Sequence, residues 1–239
     1  MRTLVTGGTG FIGRHVLRKL KNAVVLSRNA SAAQTSLGVG DVEAFDWSPV
    51  FAPPPAQAFE RVDRVIHLAG ESIVGRWTSA KKRRLRESRI TGTRHLVETL
   101  VSLPRPPSVL VSASAVGYYG SQADRVLNES AEAGDDFLAE LCCDWEAAAN
   151  EARAAGIRVV TPRMGLVLGR DGGALAQMLK PFKLGVGGVI GSGQQWMTWI
   201  HIDDLVKLIL FLLDHETISG PVNATSPNPV TNQEFTKAL

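Results

Sequence analysis

Cysteine is nearly absent from this chain of 239 residues, which contains only Cys142 and Cys143. Neighbouring cysteines rarely form a disulfide, because the bond between them would be strained. A disulfide framework is therefore excluded, and we expect a reducing compartment, the cytoplasm. Met1 and Arg2 lead straight into a predicted strand, so we also expect no secretory leader.

Long hydrophobic runs are missing as well. The most apolar run, residues 205–213, contains Lys207 and has about half the length that a membrane span requires. We interpret this run as a buried helix and expect no membrane partner.

Neither sign of charge dominates, since 26 basic residues face 23 acidic ones and the formal net charge is +3. The single dense basic run, residues 81–89, has a helical pattern, and we interpret most of its side chains as a solvated helix face. We therefore expect no nucleic-acid partner. The five histidines are scattered and the two cysteines are adjacent, so the spacing of a metal site is lacking and none is expected.

What the chain does contain is an alternation of short β-branched runs with amphipathic helices. This pattern predicts βαβ units and an α/β fold with a doubly wound parallel sheet of Rossmann type. The predicted strands are residues 3–6, 23–27, 64–68, 108–112 and 158–161. One predicted helix presents Ile12, Val16 and Leu20 on one face, and a second, with its apolar face over residues 138–149, ends at Gly156.

Three glycines follow the first predicted strand at a regular spacing: Gly7, Gly10 and Gly13. Gly7 permits the tight turn from the strand into a helix that begins at Phe11. Gly10 lets main-chain amides approach a diphosphate, and Gly13 lets the helix pack closely on the strand. Position and spacing together predict a dinucleotide site.

The residues at the end of the second predicted strand indicate which dinucleotide is bound. An NAD-selective fold places a carboxylate there for the ribose 2′-hydroxyl, whereas this chain has Ser27 followed by Arg28. An arginine can pair with a 2′-phosphate that a carboxylate would repel. The sequence therefore predicts NADP(H) as the cofactor.

The alternation weakens after Pro162 into a glycine-rich stretch. We divide the chain into an NADP-binding core, residues 1–162, and a small C-terminal region, residues 163–239, packed on the same domain and expected to carry substrate-side loops. A capping box at residues 231–235 predicts a final helix. Because only about two turns follow it, we expect the chain to be either a natural short form or incomplete on its substrate side.

Several motifs in order resemble the extended short-chain dehydrogenase/reductase superfamily, and more narrowly its atypical, sugar-nucleotide epimerase-like branch. The resemblance covers nearly the whole chain. The matching segments are residues 6–13 (TGGTGFIG), 67–71 (HLAGE), 90–93 (ITGT), 112–120 (SASAVGYYG), 144–146 (DWE), 162–169 (PRMGLVLG), 191–194 (GSGQ) and 199–201 (WIH).

The resemblance implies a role for individual positions in cofactor binding. Arg89 occupies a helix position where relatives often carry an asparagine, and it would reach back towards the cofactor. Residues 162–167, including Val167, would flank the nicotinamide ring. The remaining implied positions are Thr9, Gly10, Phe11 and Ile12 at the diphosphate, Ser27 and Arg28 at the 2′-phosphate, Asp46 near the adenine, and Leu68, Ala69 and Gly70 on the ribose and nicotinamide side.

The chain lacks the pair of residues that performs chemistry in most members of the superfamily, a tyrosine base followed four residues later by a lysine. Counted back from Glu146, which matches the family's helix glutamate, the tyrosine position falls at Leu138 or Phe137 and the lysine position at Cys142. Neither a phenol nor an ammonium is available at these positions.

The best remaining catalytic candidates are Ser114, which matches the superfamily serine, and Tyr118, four residues beyond it. Ser112 replaces Ser114 if the register differs. Glu71 and His201 are alternative catalytic candidates, because carboxyl and imidazole groups change charge closer to neutral pH than a serine hydroxyl or a phenol does. All of these side chains could equally line the pocket without transferring a proton.

Two functions are compatible with this pattern. The first is an NADP(H)-dependent oxidoreductase or epimerase that acts on an unknown small polar or nucleotide-linked substrate. The second is a non-catalytic NADP(H) binder that acts through a partner, a role consistent with relatives that carry cell-division-related names. A homodimer is compatible with either function.

Overall fold

The computed structural model describes residues 1–38 and 42–239, and its centre is a parallel sheet in the order β11-β7-β5-β4-β1-β2-β3, with β6 paired to β7. Two short pairs, β8 with β10 and β9 with β12, lie outside this sheet. The strands are β1 (Thr3–Thr6), β2 (Ala23–Ser27), β3 (Val42–Asp46), β4 (Arg64–His67), β5 (Val109–Ser112), β6 (Ser114–Ala115), β7 (Arg158–Met164), β8 (Leu166–Gly169), β9 (Trp196–Met197), β10 (Trp199–His201), β11 (Gly220–Ala224) and β12 (Val230–Thr231).

Helices cover both faces of the sheet, as the doubly wound prediction requires. A π-helical turn (Glu87–Thr91) joins α3 to α4. The helices are α1 (Phe11–Leu17), α2 (Ala30–Leu37), α3 (Ser79–Arg86), α4 (Gly92–Ser102), α5 (Phe137–Asn150), α6 (Gly173–Lys183), α7 (Ile202–Asp214) and α8 (Asn232–Ala238).

Successive residues of the central strands enter two different cores, because side chains alternate across a sheet. In β1, Leu4 packs in the core that contains Leu96 of α4. Its neighbour Val5 packs in the opposite core with Val16 of α1 and Ile209 of α7. Both faces are apolar, which explains why these strands are continuous hydrophobic runs in the sequence.

The predicted strands are confirmed with small changes at their ends. Strands β1 and β2 have the predicted bounds, β4 ends one residue earlier, and β5 begins at Val109. Strand β7 runs on through Pro162 to Met164. Its pairing with β5 stops at Val160 and its pairing with β6 begins at Arg163. Pro162, which has no N–H to donate, lies in that interruption.

The C-terminal region is joined to the core through the sheet itself. The division between residues 162 and 163 falls inside β7. Every residue of β11 pairs with a residue of β7. The predicted capping box is confirmed: Thr231 accepts a hydrogen bond from the Glu234 amide, and the Glu234 side chain accepts one from the Thr231 amide. Within residues 1–38 and 42–239, each helix is too short or too polar to span a bilayer.

Candidate functional site

A crevice opens at the carboxyl ends of β1 and β4, where the strand order reverses direction. From β1 the sheet continues through β2 and β3 on one side and through β4, β5 and β7 on the other. The connections after β1 and β4 therefore leave towards opposite faces of the sheet. Open α/β sheets bind their ligands at such a switch point, and the glycine turn lies there.

The three glycines of the turn have the geometry that was predicted for them. Gly7 has a positive φ of 68°, and a Cβ atom on it would lie 2.8 Å from the carbonyl carbon of Leu68. A Cβ atom on Gly13 would lie 2.3 Å from the Gly7 carbonyl oxygen, so α1 packs against the turn as closely as backbone allows. Among the residues that the structure describes, a Cβ atom on Gly10 would meet only the Gly7 oxygen, at 3.1 Å. The space in front of Gly10 is open.

Main-chain amides face this open space at the start of α1. Gly10 is the residue preceding the helix, and within the described chain no side chain caps it. The amides of Phe11 and Ile12 belong to the first helical turn, where no acceptor exists inside the helix. A glycine cradle with free amides and no carboxylate fits the oxygens of a diphosphate.

The predicted 2′-phosphate residues lie at the carboxyl end of β2, where Ser27 is the last residue of the strand and Arg28 follows it. Ser27 accepts a hydrogen bond from the Asn29 amide at 3.3 Å and thereby shapes the turn. Arg28 is exposed, and the described part of the chain provides it with neither a hydrogen bond nor an ion pair. Asp46, at the end of β3, accepts a hydrogen bond from the Ala30 amide at 2.8 Å. Its carboxylate therefore anchors the start of α2.

A buried hydrogen-bond chain, which the sequence analysis did not single out, fixes the backbone beside Gly7. The Thr6 hydroxyl accepts hydrogen bonds from the amides of Leu68 and Ala69 and contacts Nδ1 of His67 at 2.7 Å. Nε2 of His67 contacts the Thr93 hydroxyl at 2.9 Å. The indole of Trp145 donates to the same hydroxyl. The position of Thr6 directly before the glycine turn was the available sequence signal.

Glu71 lies just beyond this backbone and is held by the basic run. Nζ of Lys81 donates to Oε1 of Glu71 at 2.8 Å, and Nε of Arg84 lies 3.8 Å from the same oxygen. The hydrogen bond from Lys81 and the positive charges of Lys81, Arg84 and Arg28 lower the pKa of Glu71, although burial opposes them. The solvated face expected for this run is wrong for Lys81, which is buried against a carboxylate.

Arg89, which the resemblance implied as a cofactor residue, projects from the π-helical turn towards Gly70. A Cβ atom on Gly70 would lie 3.3 Å from its guanidinium carbon. The guanidinium donates to the Glu71 carbonyl oxygen at 3.0 Å and stacks 5.0 Å from the ring of Trp145.

Ser114 is enclosed by a buried ion pair rather than open to the crevice. It is 1% exposed, and its hydroxyl donates to Glu146 at 2.6 Å. Both carboxylate oxygens of Glu146 also accept hydrogen bonds from Arg163, each at 2.9 Å. Burial alone would lower the pKa of Arg163, but the bonds to Glu146 and Tyr119 outweigh it and raise that pKa.

The two tyrosines contact the same arginine. The Tyr118 ring lies 3.3 Å from the guanidinium carbon of Arg163, and the Tyr119 hydroxyl accepts from Arg163 at 3.0 Å. Tyr119 in turn donates to Asn223 of β11. Arg163, inside the PRMGLVLG motif, is the central residue of this cluster, a role that its sequence pattern alone did not predict.

The positions of the missing tyrosine and lysine are filled by apolar packing. A Cβ atom on Gly117 would lie 3.3 Å from Cβ of Leu138 and 4.0 Å from the sulfur of Cys142. Burial, with the charge of Glu146, raises the pKa of the Cys142 thiol to about 11. The thiol is therefore neutral at physiological pH.

The remaining candidate residues take part in the packing, capping or strand pairing of the fold. Ser112 is buried, and its hydroxyl has no hydrogen-bond partner among the described residues. His201 precedes α7 and accepts a hydrogen bond from the Asp203 amide, so it caps that helix. Val167 pairs with Ile200 in the β8–β10 sheet. Among residues 1–38 and 42–239, no cluster of three or more potential metal ligands occurs.

Comparison with known proteins agrees with this architecture. The family model described as "NAD dependent epimerase/dehydratase family" matches residues 3–224. The "Epimerase family protein SDR39U1 homolog, chloroplastic" of Arabidopsis thaliana is 40% identical over 251 residues, which cover 100% of this chain and 70% of that protein.

Two solved structures are also similar. One is human epimerase family protein SDR39U1 (isoform 2) with NADPH, at 34% identity and a TM-score of 0.82, covering 98% of this chain and 77% of that one. The other is a nucleoside-diphosphate sugar epimerase from Corynebacterium glutamicum, at 34% identity and a TM-score of 0.83. The match covers 99% of this chain, which spans about half, 49%, of that protein. The chain therefore belongs to the NAD-dependent epimerase/dehydratase family of short-chain dehydrogenase/reductase proteins, in its SDR39U1-like branch.

Proposed function

We propose that the chain binds NADP(H) in the crevice at the ends of β1 and β4 and acts as an oxidoreductase or epimerase on a small polar or nucleotide-linked substrate. The observation that carries the proposal is the glycine cradle at Gly10 together with the exposed Arg28 after the next strand, to which the described residues give neither a hydrogen bond nor an ion pair. An exposed guanidinium beside a diphosphate cradle suits a 2′-phosphate.

Different residues of the crevice would bind different parts of the cofactor. The amides of Phe11 and Ile12 would hold the diphosphate, Arg28 the 2′-phosphate, and the backbone of residues 68–70 the sugar beyond it. When bound, the nicotinamide supplies or accepts a hydride. The cofactor named with the human relative, NADPH, supports the choice of dinucleotide.

Replacement of Arg28 tests the cofactor preference. For Arg28→Ala we expect the Kd for NADPH to rise about 10- to 100-fold, the effect of losing a charged hydrogen bond. The Kd for NADH should change less than about threefold, because NADH has no 2′-phosphate. Titration calorimetry with both cofactors measures this.

The matched control is Lys21→Ala, which removes an exposed cation that precedes the same strand at its other end. It should leave both affinities unchanged. A preference of the unmodified protein for NADH, or no binding of NADPH, contradicts the proposal.

A second candidate is a non-catalytic NADP(H) binder that acts through a partner protein. It is favoured by the packing of Leu138 and Cys142 on Gly117. It is also favoured by Ser114, which is 1% exposed and whose hydroxyl donates to Glu146. NADPH oxidation followed at 340 nm with nucleotide sugars and small ketones distinguishes the two. Substrate-dependent oxidation supports the enzyme. Tight NADPH binding without turnover of any compound supports the binder.

A further inference from the structure

A second cavity lies at the opposite end of the sheet from the crevice. Strands β1, β2 and β4 are parallel, so their amino ends meet at this edge. The cavity has a volume of about 810 Å³, a size typical of pockets that hold small molecules. This amino-end pocket is lined by residues 1–2, 22, 56–57, 59–63 and 103–105, and it shares none of them with the glycine turn.

The inner wall of the amino-end pocket is apolar. Phe59 and Val62 line it and are buried, and Leu103, at the end of α4, is half-buried. Ala56 and Pro104 extend this wall to the exposed rim. A wall of this kind removes the aromatic or aliphatic part of a small molecule from water.

Positive charge surrounds this wall. Arg61 and Arg105 both line the pocket and are exposed, and the described residues offer neither of them an ion pair or a hydrogen bond. Two carboxylates line the pocket as well. Asp63 accepts a hydrogen bond from the main-chain amide of Arg2 at 2.7 Å, which leaves Glu60 as the opposing charge. The two guanidinium charges outnumber this carboxylate, so the pocket favours an anion.

Arg2 brings a third guanidinium to the pocket, and part of it is unsatisfied. Its Nη2 donates to Glu43 of β3. Its Nε is buried and has no hydrogen-bond partner within residues 1–38 and 42–239. A buried donor without an acceptor is unfavourable. The pocket is the space beside this side chain in which an acceptor oxygen can be bound.

The backbone of Arg61 has a conformation that an arginine rarely adopts. Its φ is 56°, in the left-handed region that disfavours side chains but not glycine. A glycine would form the turn between the 3₁₀ helix (Ala56–Phe59) and β4 without this strain. Strained residues cluster at functional sites. The conformation of Arg61 therefore indicates a role for its guanidinium rather than for the turn.

We propose that the amino-end pocket binds a small amphipathic anion, with an aromatic or aliphatic body and one acidic group such as a carboxylate or a phosphate. The body lies against Phe59, Val62 and Leu103. The acidic group is held by Arg61 and Arg105, because a guanidinium fork can bind two oxygens of such a group at once. This site is separate from the proposed NADP(H) crevice and does not depend on it.

A pair of fluorescent probes tests the proposal. One is 8-anilino-1-naphthalenesulfonate, and the other is N-phenyl-1-naphthylamine, the same molecule without the acidic group. Both are titrated with NADPH in excess, so that the crevice is filled. For Arg61→Gly combined with Arg105→Ala we expect the Kd of the sulfonate to rise about tenfold or more, since charged hydrogen bonds are lost. The Kd of the neutral probe should change less than about threefold.

The fold should tolerate these substitutions. Arg61→Gly should shift the Tm by no more than about 4 °C, because the relief of strain offsets the flexibility that glycine gives to the unfolded chain. The matched control is Arg83→Ala, which removes an exposed arginine of α3 and should change neither Kd.

Three results overturn the inference. The first is an unmodified protein that binds the sulfonate no more tightly than the neutral probe. The second is a double variant that keeps its sulfonate affinity or loses affinity for both probes equally. The third is displacement of the sulfonate by NADPH, which would mean that the probe binds in the crevice. Sulfonate binding that depends on Arg61 and Arg105 in a protein without NADPH affinity supports this inference and contradicts only the proposed function.

Discussion

The protonation of His67 is fixed by its neighbours. The Thr6 hydroxyl already accepts two amide hydrogen bonds, so its own proton points to Nδ1 of His67. The ring proton is then on Nε2 and is donated to Thr93. Burial lowers the pKa of His67 to about 4. The neutral ring is thus part of the scaffold behind the Gly7 turn.

This scaffold predicts a dependence of stability on pH. Below the unfolded pKa of 6.5 the unfolded chain binds a proton that the folded His67 takes up only near pH 4, so stability falls as pH decreases from 6.5 towards 4. Between pH 7 and pH 5 we expect the free energy of unfolding to fall by about 2 kcal/mol through this group. Urea denaturation at the two pH values measures it.

The control is His67→Asn, which has no titratable group at this position. The variant should be less stable at pH 7, because an amide cannot span the distance between Thr6 and Thr93, but its stability should depend less on pH between 7 and 5. If both proteins lose the same amount, other groups cause the dependence.

At the residue scale, the sequence predicted the local backbone geometry of the glycine turn. Gly7, Gly10 and Gly13 have the predicted geometry because a glycine's function depends on local conformation and spacing. The contacts of Ser114 could not be predicted. Its partner Glu146 lies 32 residues away, and only the packing of α5 on β6 brings the hydroxyl to that carboxylate.

At the element scale, Arg158 ties the end of α7 to the sheet through main-chain carbonyls. Arg158 begins β7, and its guanidinium donates to the carbonyl oxygens of Leu212, Leu213 and Ile218 at 2.8 to 3.0 Å. The last carbonyl oxygens of a helix accept no hydrogen bond from within the helix. They therefore require a donor from another part of the chain. Arg158 supplies this donor for α7.

Replacement of Arg158 should therefore destabilise the fold. For Arg158→Lys we expect a loss of about 1.5–3 kcal/mol in the free energy of unfolding, because an ammonium on a shorter reach cannot serve the three carbonyls together. Urea denaturation provides the measurement. Lys207→Ala, which removes an exposed cation from the same helix, should change stability by less than about 0.5 kcal/mol. Equal effects of the two substitutions would contradict this role.

Elements with a clear apolar pattern were predicted, and those without one were not. Strand β3 is only half-buried, and β11, with the sequence GPVNA, contains glycine, proline and asparagine. Helix α6 begins at Gly173 and contains Pro181, and these helix-disfavouring residues obscure the apolar spacing of Leu175, Met178 and Leu179. The π turn also leaves no signal in the sequence, because it depends on the contacts of Ser88 and Arg89 with the chain after β4.

At the scale of the whole molecule, one cluster joins the core to the C-terminal region. Arg163 of β7 binds Glu146 of α5 and the Tyr119 hydroxyl, and Tyr119 bonds Asn223 of β11. A charge pair this buried costs several kcal/mol if one partner is removed. The region beyond residue 162 is therefore held at the crevice by polar contacts as well as by the pairing of β7 with β11.

Phe11 provides a second connection, between the glycine turn and the chain that follows β8. A Cβ atom on Gly169, Gly172 or Gly173 would lie within 2.8 Å of its ring, so these three glycines surround it closely. The first residue of α1 thus also fixes the start of α6. The position of α6 depends on the packing around this ring, since α6 has no buried residue of its own.

Removal of this ring should loosen α6 without unfolding the sheet. A fully buried Phe→Ala costs about 3–5 kcal/mol; Phe11 is half-buried, so for Phe11→Ala we expect about half of that loss. Amide hydrogen exchange across α6 should become about tenfold faster or more. Exchange in β1 and β4 should accelerate by no more than the loss of global stability accounts for. Phe211→Ala, which removes an exposed ring stacked on His215 of the helix α7 end, should leave α6 unchanged. Uniform acceleration in Phe11→Ala would mean that the ring stabilises the whole fold instead of positioning α6.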